Sequence, residues 1–65
     1  MQVTIFFLNE TRDSMALVLS AIPSIGEIMF IQHDGEKDSC TYVVKQRSLY
    51  VNGKASEYTI NVKRL

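Results

Sequence analysis

The chain has 65 residues, 46% of them hydrophobic, and its seven basic and seven acidic side chains give a formal net charge of zero. This length allows one domain with a small core, because a chain of this size buries only about 60% of the surface that its unfolded form exposes. The hydrophobic content excludes a disordered chain, and the balanced charge excludes a strongly basic arm for nucleic acid. The single cysteine, Cys40, excludes an intramolecular disulfide.

The first segment, Gln2–Leu8, is rich in β-branched and aromatic residues. Alternate positions place Val3, Ile5 and Phe7 on one face, which predicts a strand. Residues 9–14 (NETRDS) are polar and end it.

Residues 14–22 fit two interpretations. We favour a strand, because a polar connector between two apolar runs is typical of a hairpin and every later segment is of β type. A short helix, which Pro23 would end, is the alternative. The first interpretation aligns Met15, Leu17, Leu19 and Ala21 on one face, and the second aligns Met15, Val18, Leu19 and Ile22.

Residues 22–27 (IPSIGE) predict a sharp corner, because Pro23 fixes φ and Gly26 permits a positive φ. The apolar run at 28–32 predicts a third strand that is buried on both faces. A charged loop follows at 33–39 and contains the tight-turn dipeptide Asp34-Gly35.

A long fourth strand is predicted over Cys40–Val51, followed by an Asn52-Gly53 turn and a last strand over 56–64. A two-residue turn would place charged side chains opposite the apolar face of the last strand. Shifting the pairing by one residue matches the apolar faces, and this shift requires a β-bulge near residues 46–48. The resulting pairs are Tyr42 with Val62 and Val44 with Ile60.

These segments together predict an all-β fold, a small and partly open barrel of five mostly antiparallel strands, of Src-homology type or OB type. The alternative architecture is β-α-β-β-β, with the short helix over 14–22. Either fold forms a single domain over residues 1–65.

Few residues could support catalysis or bind a metal. We interpret His33 as a solvated histidine of a charged turn and Cys40 as a half-buried strand residue, rather than as a catalytic dyad. The acids at 34, 36 and 38 resemble the start of a calcium loop, but Ser39 and Lys45 stand where that loop needs a glycine and a bidentate acid. We therefore expect a non-enzymatic protein with no metal and no cofactor.

Charge is divided between two parts of the chain. Residues 1–38 contain six acids and two bases, a net charge of −4, and residues 39–65 contain five bases and one acid, a net charge of +4. All three tyrosines lie in the basic part. Our first hypothesis is a protein partner that binds the exposed side chains of a basic hairpin and of an opposed acidic loop: Lys45, Arg47, Tyr50 and Lys54, with Asp34, Glu36 and Asp38.

Two other functions remain open. Nucleic acid could bind a basic hairpin if its phosphates met cations and its bases stacked on tyrosine rings. A homodimer that pairs through an open sheet edge, as the building block of a larger assembly, is the third hypothesis. The residues expected to bind nucleic acid are Tyr42, Lys45, Arg47, Tyr58 and Lys63.

Three segments, 22–28 (IPSIGEI), 42–44 (YVV) and 58–62 (YTINV), give the chain a resemblance to short orphan proteins of phages, plasmids and other mobile elements. Those proteins carry a Pro-x-x-Gly-(Glu/Asp) corner, a Tyr-x-Val strand and a terminal hairpin. The step Gly26-Glu27-Ile28 is also similar to the corner of Src-homology-type barrels. The resemblance implies a small barrel without catalytic residues that binds and modulates a host protein.

A cytoplasmic location and no membrane partner are expected. The chain starts without a positively charged segment or a small-residue cleavage site. Its most apolar stretch, residues 15–31, is interrupted by Pro23, Gly26 and Glu27, whereas a membrane span needs about 20 predominantly apolar residues.

Overall fold

Five strands and no helix make up the protein in a computed structural model that describes residues 1–65. The all-β prediction is confirmed, and so is the strand within 14–22, where the alternative helix is absent. No helix capable of crossing a membrane is present. The strands are β1 (Gln2–Leu8), β2 (Met15–Val18), β3 (Ile28–Ile31), β4 (Cys40–Val51) and β5 (Ser56–Arg64).

The strands form one mixed sheet in the order β2-β1-β5-β4-β3. Strands β1 and β5 are parallel, and the other three neighbouring pairs are antiparallel. The sheet curls into a half-barrel, in which β2 and β3 are the edges and no ladder joins them. The barrel is therefore partly open, as predicted.

The core lies on the inner, concave face of this sheet. Alternate residues of β1 point inward, so that Val3 and Ile5 are fully buried, while Phe6 between Ile5 and Phe7 is 44% exposed. The period-two pattern of the sequence thus identified the buried face. The nine buried apolar residues are Val3, Ile5, Phe7, Ile31, Cys40, Tyr42, Val44, Ile60 and Val62.

Strand β3 differs from the expectation that both of its faces are buried. Ile31 is buried, but Ile28 and Phe30 are 45% and 73% exposed on the outer face. An apolar run is buried on both faces only where a second layer covers the sheet. This protein has a single curled sheet, so the outer face of β3 meets solvent.

The β4–β5 hairpin contains the predicted bulge but not the predicted turn. The pairs Val44–Val62 and Gln46–Asn61 leave Lys45 as the extra residue, just before the predicted region 46–48. The predicted pairings of Tyr42 with Val62 and of Val44 with Ile60 are wrong by two residues, because the turn has four residues rather than two.

The four-residue turn is held together by one side chain. The Asn52 backbone N–H donates to the Ala55 carbonyl at 2.9 Å, and the Asn52 Oδ1 accepts from the backbone N–H groups of Lys54 and Ala55, each at 2.9 Å. Asparagine commonly closes a turn in this way. Gly53 does not adopt the positive φ that a two-residue Asn-Gly turn requires.

The predicted corner at 22–27 is confirmed and docks on β4. Gly26 has a φ of 90°, which favours glycine, and Pro23 is buried. The Gly26 N–H donates to the Val44 carbonyl at 2.8 Å, and the Val44 N–H donates to the Glu27 carbonyl at 3.0 Å. The corner thus extends the hydrogen bonding along the β3-facing edge of β4 by one residue, to Val44.

Candidate interaction surface

The β4–β5 hairpin extends beyond the core. The Cα radius of gyration is 12.0 Å and the principal extents are 39 × 24 × 23 Å. A compact domain of this length would have a radius of about 10.7 Å, so the molecule is elongated. We call residues 45–58, which carry β4 past its last contact with the corner, the projecting hairpin.

The bulge at Lys45 changes which side chains face inward. Arg47, Leu49 and Val51 follow Val44 onto the inner face, since they pair with Ile60, Tyr58 and Ser56 of β5. On β4 the last buried residue is Val44, although the core extends along β5 to Ile60 and Tyr58 packs against it. Leu49 is therefore 51% exposed and Val51 is 64% exposed, two apolar side chains that the fold does not cover.

Cations border these apolar side chains. The Arg47 guanidinium lies over the Tyr58 ring, 5.1 Å from its centroid, and Lys45 and Lys54 are exposed. The one acid of the hairpin, Glu57, accepts a hydrogen bond from the Thr4 hydroxyl. The projecting hairpin carries three bases and one acid, and is thus a basic surface.

Tyr50 lies on the opposite, outer face of the projecting hairpin, across from Glu57. It is 61% exposed, as the protein-binding hypothesis requires. Four of the residues expected to contact a protein partner therefore lie on the projecting hairpin, with Arg47 on its inner face and Tyr50 on its outer face: Lys45, Arg47, Tyr50 and Lys54.

The acidic loop is not part of the same surface. Asp34, Glu36 and Asp38 are exposed, but they precede β4, whereas the projecting hairpin begins halfway along that strand and continues to its turn. Along β4, roughly 17 Å separate Cys40 from Lys45, the first residue of the projecting hairpin, and roughly 35 Å separate Cys40 from Val51. Glu36 is also engaged, because its carboxylate accepts a hydrogen bond from the Arg12 guanidinium at 3.1 Å.

The residues expected to bind nucleic acid do not form one site. Tyr42 is fully buried and cannot stack on a base, which corrects that expectation. Tyr58 is partly buried, packs against the core and has Arg47 over its ring. Lys63 pairs with Val43, away from the projecting hairpin. Lys45 and Arg47 are the two members of this set that are exposed on the projecting hairpin.

Tyr42 instead belongs to a group that we call the buried polar cluster, in which Tyr42 and His33 are buried and Glu10 and Arg12 are partly exposed. The Tyr42 hydroxyl donates to Glu10 Oε1 at 3.3 Å and lies 2.9 Å from His33 Nε2. Because a hydroxyl has one hydrogen, His33 donates to it from Nε2. Arg12 Nε donates to Glu10 Oε1 at 2.8 Å.

His33 is only 7% exposed, so the expectation of a solvated histidine is wrong. Its ring packs edge-on against Phe7, with the centroids 5.1 Å apart. Cys40 is also buried rather than half-buried, and His33 Nε2 is bound to Tyr42 rather than to the Cys40 thiol. No three His, Cys, Asp or Glu side chains are grouped in a way that could hold a metal ion.

The cluster shifts the pKa values of Tyr42 and Glu10 in opposite directions. Burial raises the pKa of Tyr42 from 10.0 to about 12, and the hydrogen bond to Glu10 adds to the rise. Burial also acts to raise the pKa of Glu10, but the hydrogen bonds from Arg12 and Tyr42 outweigh it and hold that pKa below its ordinary value of 4.5. Glu10 is therefore a carboxylate near neutral pH and stabilises the cluster by charge.

Sequence reasoning did not identify Leu49 and Val51 as surface residues. The apolar residues of β4 change from even positions (Tyr42 and Val44) to odd positions (Leu49 and Val51). This change predicted the bulge but not the residue at which the core ends. A shallow open cavity of about 350 Å³, lined by Asn9, Glu10, Thr11 and Arg12, was also not predicted from the sequence.

Comparison with protein-family models, curated proteins and solved structures found no match to this chain.

Proposed function

We propose that this chain is a non-enzymatic protein-binding module that uses the projecting hairpin to occupy, and so modulate, a surface of a partner protein. The observation that carries the proposal is the exposure of Leu49 and Val51, at 51% and 64%, on the inner face beside the cations of the same hairpin, with Tyr50 61% exposed on the outer face. Contiguous exposed apolar side chains with a polar border are typical of protein-binding sites.

The aliphatic side chains favour a protein over a nucleic acid. Single-stranded nucleic acid is bound by aromatic rings that stack on bases and by cations that follow the phosphates. Of the three tyrosines, only Tyr50 is freely exposed on the hairpin, and its neighbours Leu49 and Val51 offer no stacking surface. Burial of such side chains by a protein partner removes apolar area from water.

The basic border indicates an acidic partner surface. Lys45, Arg47 and Lys54 would attract such a surface and orient it on approach. The resemblance to proteins of phages and mobile elements implies that the partner is a host protein, which makes a bacterial lysate the first source to test.

The test is capture of proteins from a nuclease-treated bacterial lysate by the immobilised chain, compared with its R47E variant. The matched control is K37E, which makes the same charge change on an exposed lysine outside the projecting hairpin. We expect the parent chain and K37E to capture the same protein from the nuclease-treated lysate. R47E should not capture it.

Two results would contradict this function. Capture that is equal for R47E and the parent chain would remove the hairpin as the binding surface. Binding that disappears with nuclease, and that weakens with salt at a log–log slope near 0.7 for each phosphate contact, would identify nucleic acid as the ligand.

A further inference from the structure

Strand β4 has an unpaired edge along the projecting hairpin. On the side away from β5, β4 pairs with β3 from Cys40 to Val43, and the corner then binds Val44. No backbone or side-chain hydrogen bond reaches the far side of residues 45–51. We call this stretch the free edge of β4.

Alternation along the hairpin identifies the groups that face this edge. In an antiparallel pair, hydrogen-bonded and non-hydrogen-bonded residue pairs alternate. The Asn52–Ala55 pair is hydrogen-bonded at the turn, so Tyr50, Ser48 and Gln46 direct their backbone groups towards β5. The N–H and C=O groups of Arg47, Leu49 and Val51 therefore point to the free edge.

The same three residues place their side chains on the inner face, where Leu49 and Val51 are exposed. A strand added at this edge would form backbone hydrogen bonds with Arg47, Leu49 and Val51, and its own inward side chains would lie next to theirs. One extended segment would thus satisfy the unpaired backbone groups and cover the exposed apolar side chains together.

Charge determines which segment fits. A second copy of this chain would add another Lys45 and Arg47 to the edge and no acidic side chain from residues 45–51, so that the repulsion between two basic edges would oppose pairing. Lysines and bulges at open edges act against such self-association. A carboxylate opposite Arg47 would instead form a charge-assisted hydrogen bond with its guanidinium.

We propose that the free edge of β4 binds an extended segment of a partner protein as an antiparallel sixth strand, with two alternate apolar residues opposite Val51 and Leu49 and an acidic residue opposite Arg47. This proposal rests on the proposed function and specifies its partner: an apolar-x-apolar-x-acid segment in β conformation.

The probe is the capped peptide acetyl-Ser-Val-Thr-Ile-Ser-Glu-Gly-amide, titrated into the isotope-labelled protein and followed by NMR. In the proposed register Val, Ile and Glu lie opposite Val51, Leu49 and Arg47. We expect saturable shifts along the free edge and slower hydrogen exchange at the amides of Arg47, Leu49 and Val51, because these groups become hydrogen-bonded.

Two peptide controls separate the parts of the interaction. Methylation of the Ile nitrogen removes one edge hydrogen bond and should lower the affinity about tenfold or more. Replacement of Glu by Lys should lower it to a similar extent. Equal binding of the methylated peptide, or binding without protection of the three amides, would overturn edge pairing.

Variants of the chain test the reciprocal hydrogen bond, which the Leu49 N–H would donate to the carbonyl of the peptide Ile. L49P removes the edge N–H but no ladder bond to β5, and proline is tolerated on edge strands. L49A keeps the N–H and loses only apolar contact. We expect L49P to weaken peptide binding about tenfold and L49A about threefold. If L49P does not fold, the methylated peptide still tests edge pairing through the other hydrogen bond of this residue pair.

The outcomes distinguish this inference from the proposed function. If R47E abolishes capture of the lysate protein but L49P does not, the hairpin binds its partner and edge pairing is wrong. If neither variant affects capture, the proposed function is wrong as well. A concentration-dependent dimer of the parent chain that L49P abolishes would assign the edge to a second copy and overturn the partner strand.

Discussion

Replacing Tyr42 by phenylalanine removes one oxygen from the centre of the buried polar cluster and leaves the ring in place. The hydroxyl accepts from His33 Nε2 at 2.9 Å and donates to Glu10 Oε1 at 3.3 Å. Tyr42 is fully buried and His33 is 7% exposed, so water cannot readily replace the lost oxygen. His33 would keep an unpaired donor in the core.

The expected loss of stability follows from these contacts. An unpaired buried group costs about 1–3 kcal/mol, and the loss at Glu10 is smaller because Arg12 Nε still donates to the same oxygen. We expect Y42F to lower the free energy of unfolding by about 2 kcal/mol. A domain of this size has roughly 3–10 kcal/mol in total, and the melting temperature should fall by about 8–16 °C.

Urea unfolding followed by far-UV circular dichroism measures this loss, and Y50F is the matched control. The Tyr50 ring is 61% exposed and its hydroxyl makes no hydrogen bond, so Y50F should leave stability within about 0.5 kcal/mol of the parent chain. An equal effect of the two variants, or no effect of Y42F, would refute the role of the cluster.

The pH dependence gives a second signature of the same hydroxyl. The folded pKa of Tyr42, about 12, lies above its ordinary value of 10.0. The stabilisation is therefore complete below pH 10 and is lost as the pH rises from 10 towards 12. The stability difference between the parent chain and Y42F should narrow over that range. A constant difference would contradict this assignment.

Three further perturbations test the cluster, the corner and the core. The pKa of Glu10 is held below 4.5, so stability should fall as the pH drops below that value, and E10Q should flatten this fall in urea titrations at pH 7 and pH 3. Gly26 has a φ of 90° with open space at its Cβ position, so G26A should lower the free energy of unfolding by about 1 kcal/mol through backbone strain alone. G53A, at a residue without a positive φ, should leave the thermal unfolding curve nearly unchanged. Ile60 is fully buried, so I60V should lower the free energy of unfolding by about 1 kcal/mol. V18A, at a site 78% exposed, should change the melting temperature little, and equal shifts for the two variants would contradict the position of the core.

Much of the fold was predictable because strands carry their signal locally. Period-two alternation identified the buried face of β1, and the segment at 40–51 was predicted with the bounds that the structure has. The pairing of β4 with β5 was wrong by two residues, yet the correct face was predicted. A slip of one residue reverses the two faces of a strand, but a slip of two preserves them. Tyr42, Val44, Ile60 and Val62 were therefore correctly grouped on one face.

The sequence predicted only some of the residues of the candidate surface. The cations and Tyr50 were identified from composition, because charged side chains and turns indicate an exposed hairpin. Leu49 and Val51 were not, since their exposure depends on where the core stops supporting β4. No local sequence pattern indicates the residue of β4 at which the core ends.

By itself the sequence determined the strands, the corner at Gly26, the need for a bulge and the basic character of the hairpin, because each follows from neighbouring residues. Only the tertiary structure decided which strands are neighbours, and hence the parallel β1–β5 pair and the free edge of β4. It also brought Glu10, His33 and Tyr42 together from three separate segments. Such contacts depend on the closure of long loops, whose outcome is set by the packing of the whole sheet and not by the local pattern of any segment.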